Sequence, residues 1–286
     1  MSHRSGHDVD FSEASVLVRC WTDVLGTWKR PWPLLCLAPW FLAELAWTLA
    51  LARFPLPPFD VWFAPLFEMV GGEQALHYPG AYAELPFVQR CGGMILAFVV
   101  GTWSVTALAS ALPSAFARRR GSVASALGLA LRALPLVWIA TLPRLLFLGL
   151  AVAINLRGGV EGSALDAFVP AASLGVVLLV DLAWSYVVMG VVLGGCGPAE
   201  SIARSISLAG RFPWSTAGLV LVPRFVTLPF LMVELDMYEY IGKIPPEAVN
   251  WIVSARVVCA MIAAYVEVAG RTRLYLHAHG AEEAEA

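Results

Sequence analysis

Charge is what this sequence has least of. Only 14% of its 286 residues are Asp, Glu, Lys or Arg, against roughly a quarter in soluble domains. With 59% hydrophobic residues and a mean hydropathy of +0.72, most of the surface cannot face water. The net charge of -2 leaves no footprint for nucleic acid. Cysteine is also sparse: Cys20, Cys36, Cys91, Cys196 and Cys259 are scattered, with no C-x-x-C pair and no metal-ligand spacing. They are expected to be small buried apolar residues rather than a disulfide framework. The chain has no P-loop, no H-E-x-x-H, no G-x-S-x-G and no glycine-rich dinucleotide turn. The few polar groups in its apolar stretches offer no nucleophile beside an evident base. Neither catalysis nor a cofactor is expected. Glu68, Glu73, His77 and Glu84 lie in one polar stretch without ligand spacing.

What the chain has instead is long apolar runs, eleven Trp and nineteen Pro. Those two residue types suit an interfacial aromatic belt and helices interrupted within lipid. About 20 apolar residues cross a bilayer as a helix. Six candidate spans follow, at about 32–53, 91–116, 133–156, 168–195, 213–235 and 249–270. The run from Pro33 to Phe54 follows a polar segment and is too long for the core of a signal peptide. It is expected to be an uncleaved first span. The expected organisation is one membrane domain: an N-terminal amphipathic segment (1–31), a six-span bundle (32–270) and a tail (271–286). With the N-terminus inside, twelve of the nineteen Lys and Arg fall in inner segments, four in outer segments and three within spans. That bias predicts both termini in the cytoplasm.

The spans are organised as three repeats. The segment Ser122-Val-Ala-Ser-Ala-Leu-Gly-Leu-Ala-Leu-Arg132 aligns with Ser201-Ile-Ala-Arg-Ser-Ile-Ser-Leu-Ala-Gly-Arg211, with five of eleven positions identical. Each is followed by a Pro-Arg pair within the next span, Pro143-Arg144 and Pro223-Arg224. A more divergent first copy lies near residues 12–32. These segments are expected to be in-plane amphipathic helices, each leading into a transmembrane hairpin. In the first, Leu17, Trp21, Val24 and Trp28 share a face, and Asp10, Ser12 and Glu13 supply capping groups. In the third, Pro198 suits the first helical turn, and Ile202 and Ile206 share a face. Arg19, Arg118, Arg119, Arg120, Arg132, Arg204 and Arg211 are placed to meet lipid headgroups. The outer stretch 54–90 is long, and its Val61-Trp-Phe63 and Leu66-Phe67 suggest a short interfacial helix. Gly190-Val-Val-Leu-Gly194 has the small-xxx-small spacing of close helix packing.

Six charges fall inside the spans: Glu44, Arg144, Asp181, Arg224, Arg256 and Glu267. A charge at mid-bilayer costs at least about 2.5–3.5 kcal/mol on insertion scales, so such groups face the bundle interior. Three acids and three bases suit mutual pairing that ties helices together. The same residues, beside prolines that free carbonyls one turn earlier, also suit a polar path or headgroup pocket.

Two stretches carry a resemblance. Ser201-Ile-Ala-Arg-Ser-Ile-Ser-Leu-Ala-Gly-Arg-Phe-Pro-Trp214 and Ala269-Gly-Arg-Thr-Arg-Leu-Tyr-Leu-His277 resemble the approach to the fifth span and the final exit motif of a group of bacterial six-span proteins. That group is related to the membrane domain of glycerophosphoryl diester phosphodiesterases. The resemblance implies an all-α polytopic bundle in the bacterial cytoplasmic (inner) membrane. It does not imply hydrolysis, since no barrel-sized soluble segment is present. Two functions remain open: a non-enzymatic scaffold or accessory subunit that binds lipid or protein, a second copy of the chain included; or a transporter, or its membrane component, for a lipid-like substrate.

Overall fold

The computed structural model describes residues 13–53, 59–77, 80–157, 165–235 and 248–285, with isolated positions between 237 and 247. Residues 54–58, and Asp10 and Ser12 among the expected capping groups, lie outside them. Every described element is helical and no strand occurs among the described residues.

The chain opens with α1 (Glu13–Thr27). It buries Val16, Cys20, Val24 and Thr27, a stripe at helical spacing. A 3-10 segment, Trp32–Leu37, leads into α2 (Ala38–Ala52). Next come α3 (Phe59–Gly71), a 3-10 turn (Gly72–Leu76) and α4 (Gly80–Leu96). Gly72 takes φ +63° at the joint, the left-handed region that favours glycine. A π turn, Ala97–Gly101, joins α4 without a break to α5 (Thr102–Phe116). Then follow α6 (Val123–Arg157), α7 (Leu165–Ala183), α8 (Val187–Val192) and α9 (Pro198–Arg211). The last elements are α10 (Pro213–Phe225), α11 (Leu228–Leu235) and α12 (Ala248–Glu285).

Five helical stretches are long and apolar enough to cross a membrane: Trp32–Ala52, Gly80–Phe116, Val123–Leu150, Gly175–Val192 and Ala248–Gly280. The bent pair Pro213–Phe225 and Leu228–Glu234, with 52° between its halves, makes a sixth if counted as one span. The architecture is that of a multi-pass membrane protein, an all-α bundle.

At 38 residues and about 1.5 Å per residue, α12 is longer than the hydrocarbon core is thick. It is the post around which the bundle is built, packing against α1, α2, α4, α5 and α10. One core gathers α1, α5, α8 and the second half of α12 around Leu112, Tyr186, Tyr265 and Tyr275. Tyr265 donates its hydroxyl to Thr27 Oγ1 at 2.8 Å, and Arg273 reaches Asp23 at 2.5 Å, so α1 is pinned along α12. Another core, at the opposite end, joins α3, α4 and the start of α12 through Leu51, Phe67, Leu85, Val88, Val249 and Val253.

Several boundaries differ from those expected. The second span begins at Gly80 rather than near 91, because α4 runs into α5 through the π turn and shortens the stretch between the first two spans. The tail, expected to start at 271, is a continuation of α12 to Glu285. The segment 122–132 is not a separate helix: α6 runs through it unbroken and also through Pro143, packed against α5, α7, α8 and α9. The segment 198–211 is separate, ending at Phe212, whose φ of -128° and ψ of 61° are not helical. In that helix the buried stripe is Ser201, Ser205 and Leu208, while Ile206 is exposed. Pro223-Arg224 does sit at a break, since α10 stops at Phe225 and α11 starts at Leu228.

Candidate functional site

The six intramembrane charges divide into two clusters about eleven residues apart on α12, and each cluster recruits partners that the sequence boundaries had placed elsewhere. The first lies in the half of the bundle that holds α3. Glu44 of α2 accepts the Trp40 indole N–H at 3.2 Å and the Gln89 side-chain amide at 3.1 Å. Gln89 Oε1 accepts from Arg256 of α12. Arg256 Nε lies 2.8 Å from Glu234 Oε1 of α11, close enough for an ion pair but not aligned as a hydrogen bond. Glu234 Oε2 accepts from Arg90 of α4 at 2.8 Å. The Glu234 side chain is fully buried, and Arg90 and Arg256 approach its two oxygens from different helices.

Small residues let these groups meet. A Cβ on Gly93 of α4 would stand 3.1 Å from Glu44 Oε2, and one on Gly101 would stand 3.1 Å from Trp40. The π turn between them leaves the Phe98 carbonyl outside the regular ladder, and Trp138 of α6 donates to it at 3.1 Å.

Two cavities flank this cluster. The larger, about 650 Å³, lies between α2, α3, α4 and α11. Its wall is mostly apolar, with Trp47, Leu66, Val70, Phe87 and Ile95, and Glu84, Arg90 and Glu234 are its charged lining residues. Met69 and Ile95, both largely exposed, stand at its edge. The smaller, about 310 Å³, is lined by Trp40, Glu44, Gln89, Arg90, Arg256 and Thr227, among others, so Arg90 borders both.

The second cluster occupies the other half. Asp181 of α7 is almost fully buried and takes Arg144 on Oδ1 through Nε and Nη2, each at 2.8 Å. Its Oδ2 lies 2.6 Å from Arg224 Nη1. Arg224 also reaches Glu267 at 3.5 Å, and Glu267 pairs with Arg271 one turn further along α12. The arginines of the two Pro-Arg pairs thus share a single aspartate. The chain breaks just after that aspartate, between α7 and α8. Ser205 of α9 bridges the break, donating to the Ala183 carbonyl at 2.6 Å and accepting the Tyr186 amide at 3.0 Å.

Sequence reasoning missed Gln89, Arg90, Glu234 and Arg271. Arg90 and Arg271 fell one residue and Gln89 two residues outside the expected limits, whereas Glu234 lay inside an expected span, one residue from its end, and was passed over. The seven arginines assigned to headgroups are all exposed. They lie on α1, in the turn between α5 and α6, early in α6, and on α9, elements gathered near the second half of α12. Arg204 additionally pairs with Glu200 at 2.9 Å and contacts His279 at 3.2 Å. Gly190 of α8 faces Ser201 of α9, where an added Cβ would stand 3.1 Å away. No protein-family model, curated protein or solved structure matches the chain.

Proposed function

We propose that this is a non-enzymatic membrane protein that holds a lipid-like amphiphile in the larger cavity. One observation carries the proposal: a cavity of ligand size, about 650 Å³, has a mostly apolar wall with a few charged groups, Glu84, Arg90 and Glu234, set into it. Small-molecule sites are typically about 300–1,000 Å³, apolar with a few placed polar groups. Arg90, partly exposed and bordering the cavity, is suited to an anionic or polar head. The apolar wall is suited to a chain. Arg90 and Glu234 pair with each other there, which favours binding over catalysis.

The positive-inside bias supports an orientation with both termini in the cytoplasm, in the inner membrane of a bacterium. The exposed arginine-bearing elements then face the cytoplasm, and α3, with Val61, Trp62 and Met69 each about three-quarters exposed, rests in the outer interface. The resemblance to six-span bacterial membrane proteins agrees with this placement.

A transport role is the second reading, favoured by the two clusters strung along α12 and by breaks in two spans beside charged residues. The test is native mass spectrometry of gently extracted protein beside Val70→Trp, which fills the cavity. A stoichiometric amphiphile present in the wild type and lost in the variant, with the fold retained, is the expected result. Equal lipid retention by both proteins contradicts the proposal.

A further inference from the structure

Among the described residues the Asp181 cluster is not neutral. Three arginines, Arg144, Arg224 and Arg271, face two carboxylates, Asp181 and Glu267. An uncompensated positive charge at this depth is expensive. Asp181 lies beneath its two arginines: its side chain is 5% exposed, against 38% for Arg144 and 32% for Arg224. Asp181 therefore holds two arginine side chains that are themselves each about one-third exposed. Within the cluster, Arg271 Nε is buried and has no acceptor among the described residues. Each guanidinium carries about five donors in a planar fork, so the described acceptors leave the cluster rich in donors.

We infer that this cluster binds an oxyanion of phosphate chemistry, in a site separate from the larger cavity and not dependent on the reading of that cavity. Forked guanidinium donors match phosphate oxygens in pairs. A tetrahedral oxyanion offers oxygens in several directions to arginines arriving from α6, α10 and α12. A planar carboxylate offers one edge, and Asp181 already supplies it. The surroundings specify the rest of the ligand. Phe147 and Leu228 lie about one turn from Arg144 and Arg224 on their own helical paths, and both are exposed, as are Leu179 and Val222. An anion at this depth is best accommodated if it carries its own apolar body, as a phospholipid headgroup does. α10 ends one residue after Arg224, at the break before α11, and the partly exposed Arg144 and Arg224 side chains are what a ligand would reach.

The experiment uses the full chain in a neutral maltoside detergent. Its melting is followed during titration with inorganic phosphate, with phosphatidylglycerol, and with diacylglycerol of the same chains. Saturable stabilisation by phosphatidylglycerol and not by diacylglycerol is expected, weakened by about tenfold or more in Arg144→Gln. Asp181→Asn removes the competing carboxylate and is expected to tighten the same response. Stabilisation by inorganic phosphate with the same dependence on both variants assigns the site to free phosphate instead of a headgroup, and the oxyanion site stands. If Arg144→Gln does not fold, Asp181→Asn decides alone. The inference is overturned if phosphate and phosphatidylglycerol stabilise no better than diacylglycerol, or if the response is unchanged in the variants that fold.

Discussion

At the scale of single residues, Glu234 is the most consequential side chain that the sequence left unmarked. It is fully buried and stands between two arginines, so Glu234→Gln leaves two cations facing one another. Breaking a buried pair typically costs about 3–5 kcal/mol, whereas removing both partners can be near neutral. Thermal unfolding in detergent is expected to show a large loss for Glu234→Gln that Arg256→Gln partly restores when the two are combined. A double variant as unstable as the sum of the singles contradicts the pairing. The tryptophans tell a related story. Their number suggested an interfacial belt, and Trp62, Trp214 and Trp251 are indeed exposed. Yet Trp47, Trp103, Trp138 and Trp184 each donate an indole N–H to a carbonyl of another helical segment. Composition cannot separate those roles, because both use an amphipathic ring. Trp138→Phe is expected to cost about 1–3 kcal/mol by leaving the Phe98 carbonyl without its donor, measured by the same unfolding assay. Cys20 is 2% exposed, and burial pushes its thiol up to about 11, with Arg273 opposing and Asp23 adding to the rise. Only the thiolate reacts. Maleimide near pH 7 is therefore expected to spare Cys20 until the protein is unfolded, as read by mass spectrometry of its peptide; rapid labelling of the folded protein refutes this.

At the scale of elements, apolar length was the legible signal and boundaries were not. Five of the six expected apolar stretches hold a helix long enough to cross a membrane and the sixth is the bent pair, because crossing lipid demands about 20 apolar residues whatever the neighbours do. The ends of those spans depend on packing that one sequence does not display. Helix α4 extends back to Gly80 because Leu85 and Val88 find a core with Phe67 and Val249, contacts distant in sequence. Proline likewise has no fixed consequence: α6 continues through Pro143, while the chain breaks after Pro223. The small-residue spacing at Gly190 and Gly194 is now explained by close approach. Gly190 lies on Ser201, and Gly194 lies under the Tyr275 hydroxyl. Gly194→Ala must displace that tyrosine, and overpacking of this kind costs about 1–3 kcal/mol. A melting temperature equal to that of the wild type contradicts this contact.

At the scale of the whole molecule, α12 couples two polar centres of different character. One is balanced, with two acids and two arginines beside a ligand-sized cavity; the other holds more arginine than carboxylate. The sequence announced that charges would meet inside the bundle, but it could not divide them, since division depends on which helices are neighbours. The proposed topology predicts that single cysteines replacing Arg119 and Glu73, in a chain otherwise free of cysteine, are labelled from opposite sides of sealed vesicles. Labelling of both from one side contradicts it. The central claim, a lipid-like amphiphile in the larger cavity, is tested most directly by photo-crosslinking in native membranes with a phospholipid bearing a photoreactive group on its acyl chain. The account predicts adducts concentrated on residues 66–70 and 87–95 and lost in Val70→Trp. Adducts spread evenly around the bundle, unchanged in that variant, would mean that only bulk lipid touches this protein there.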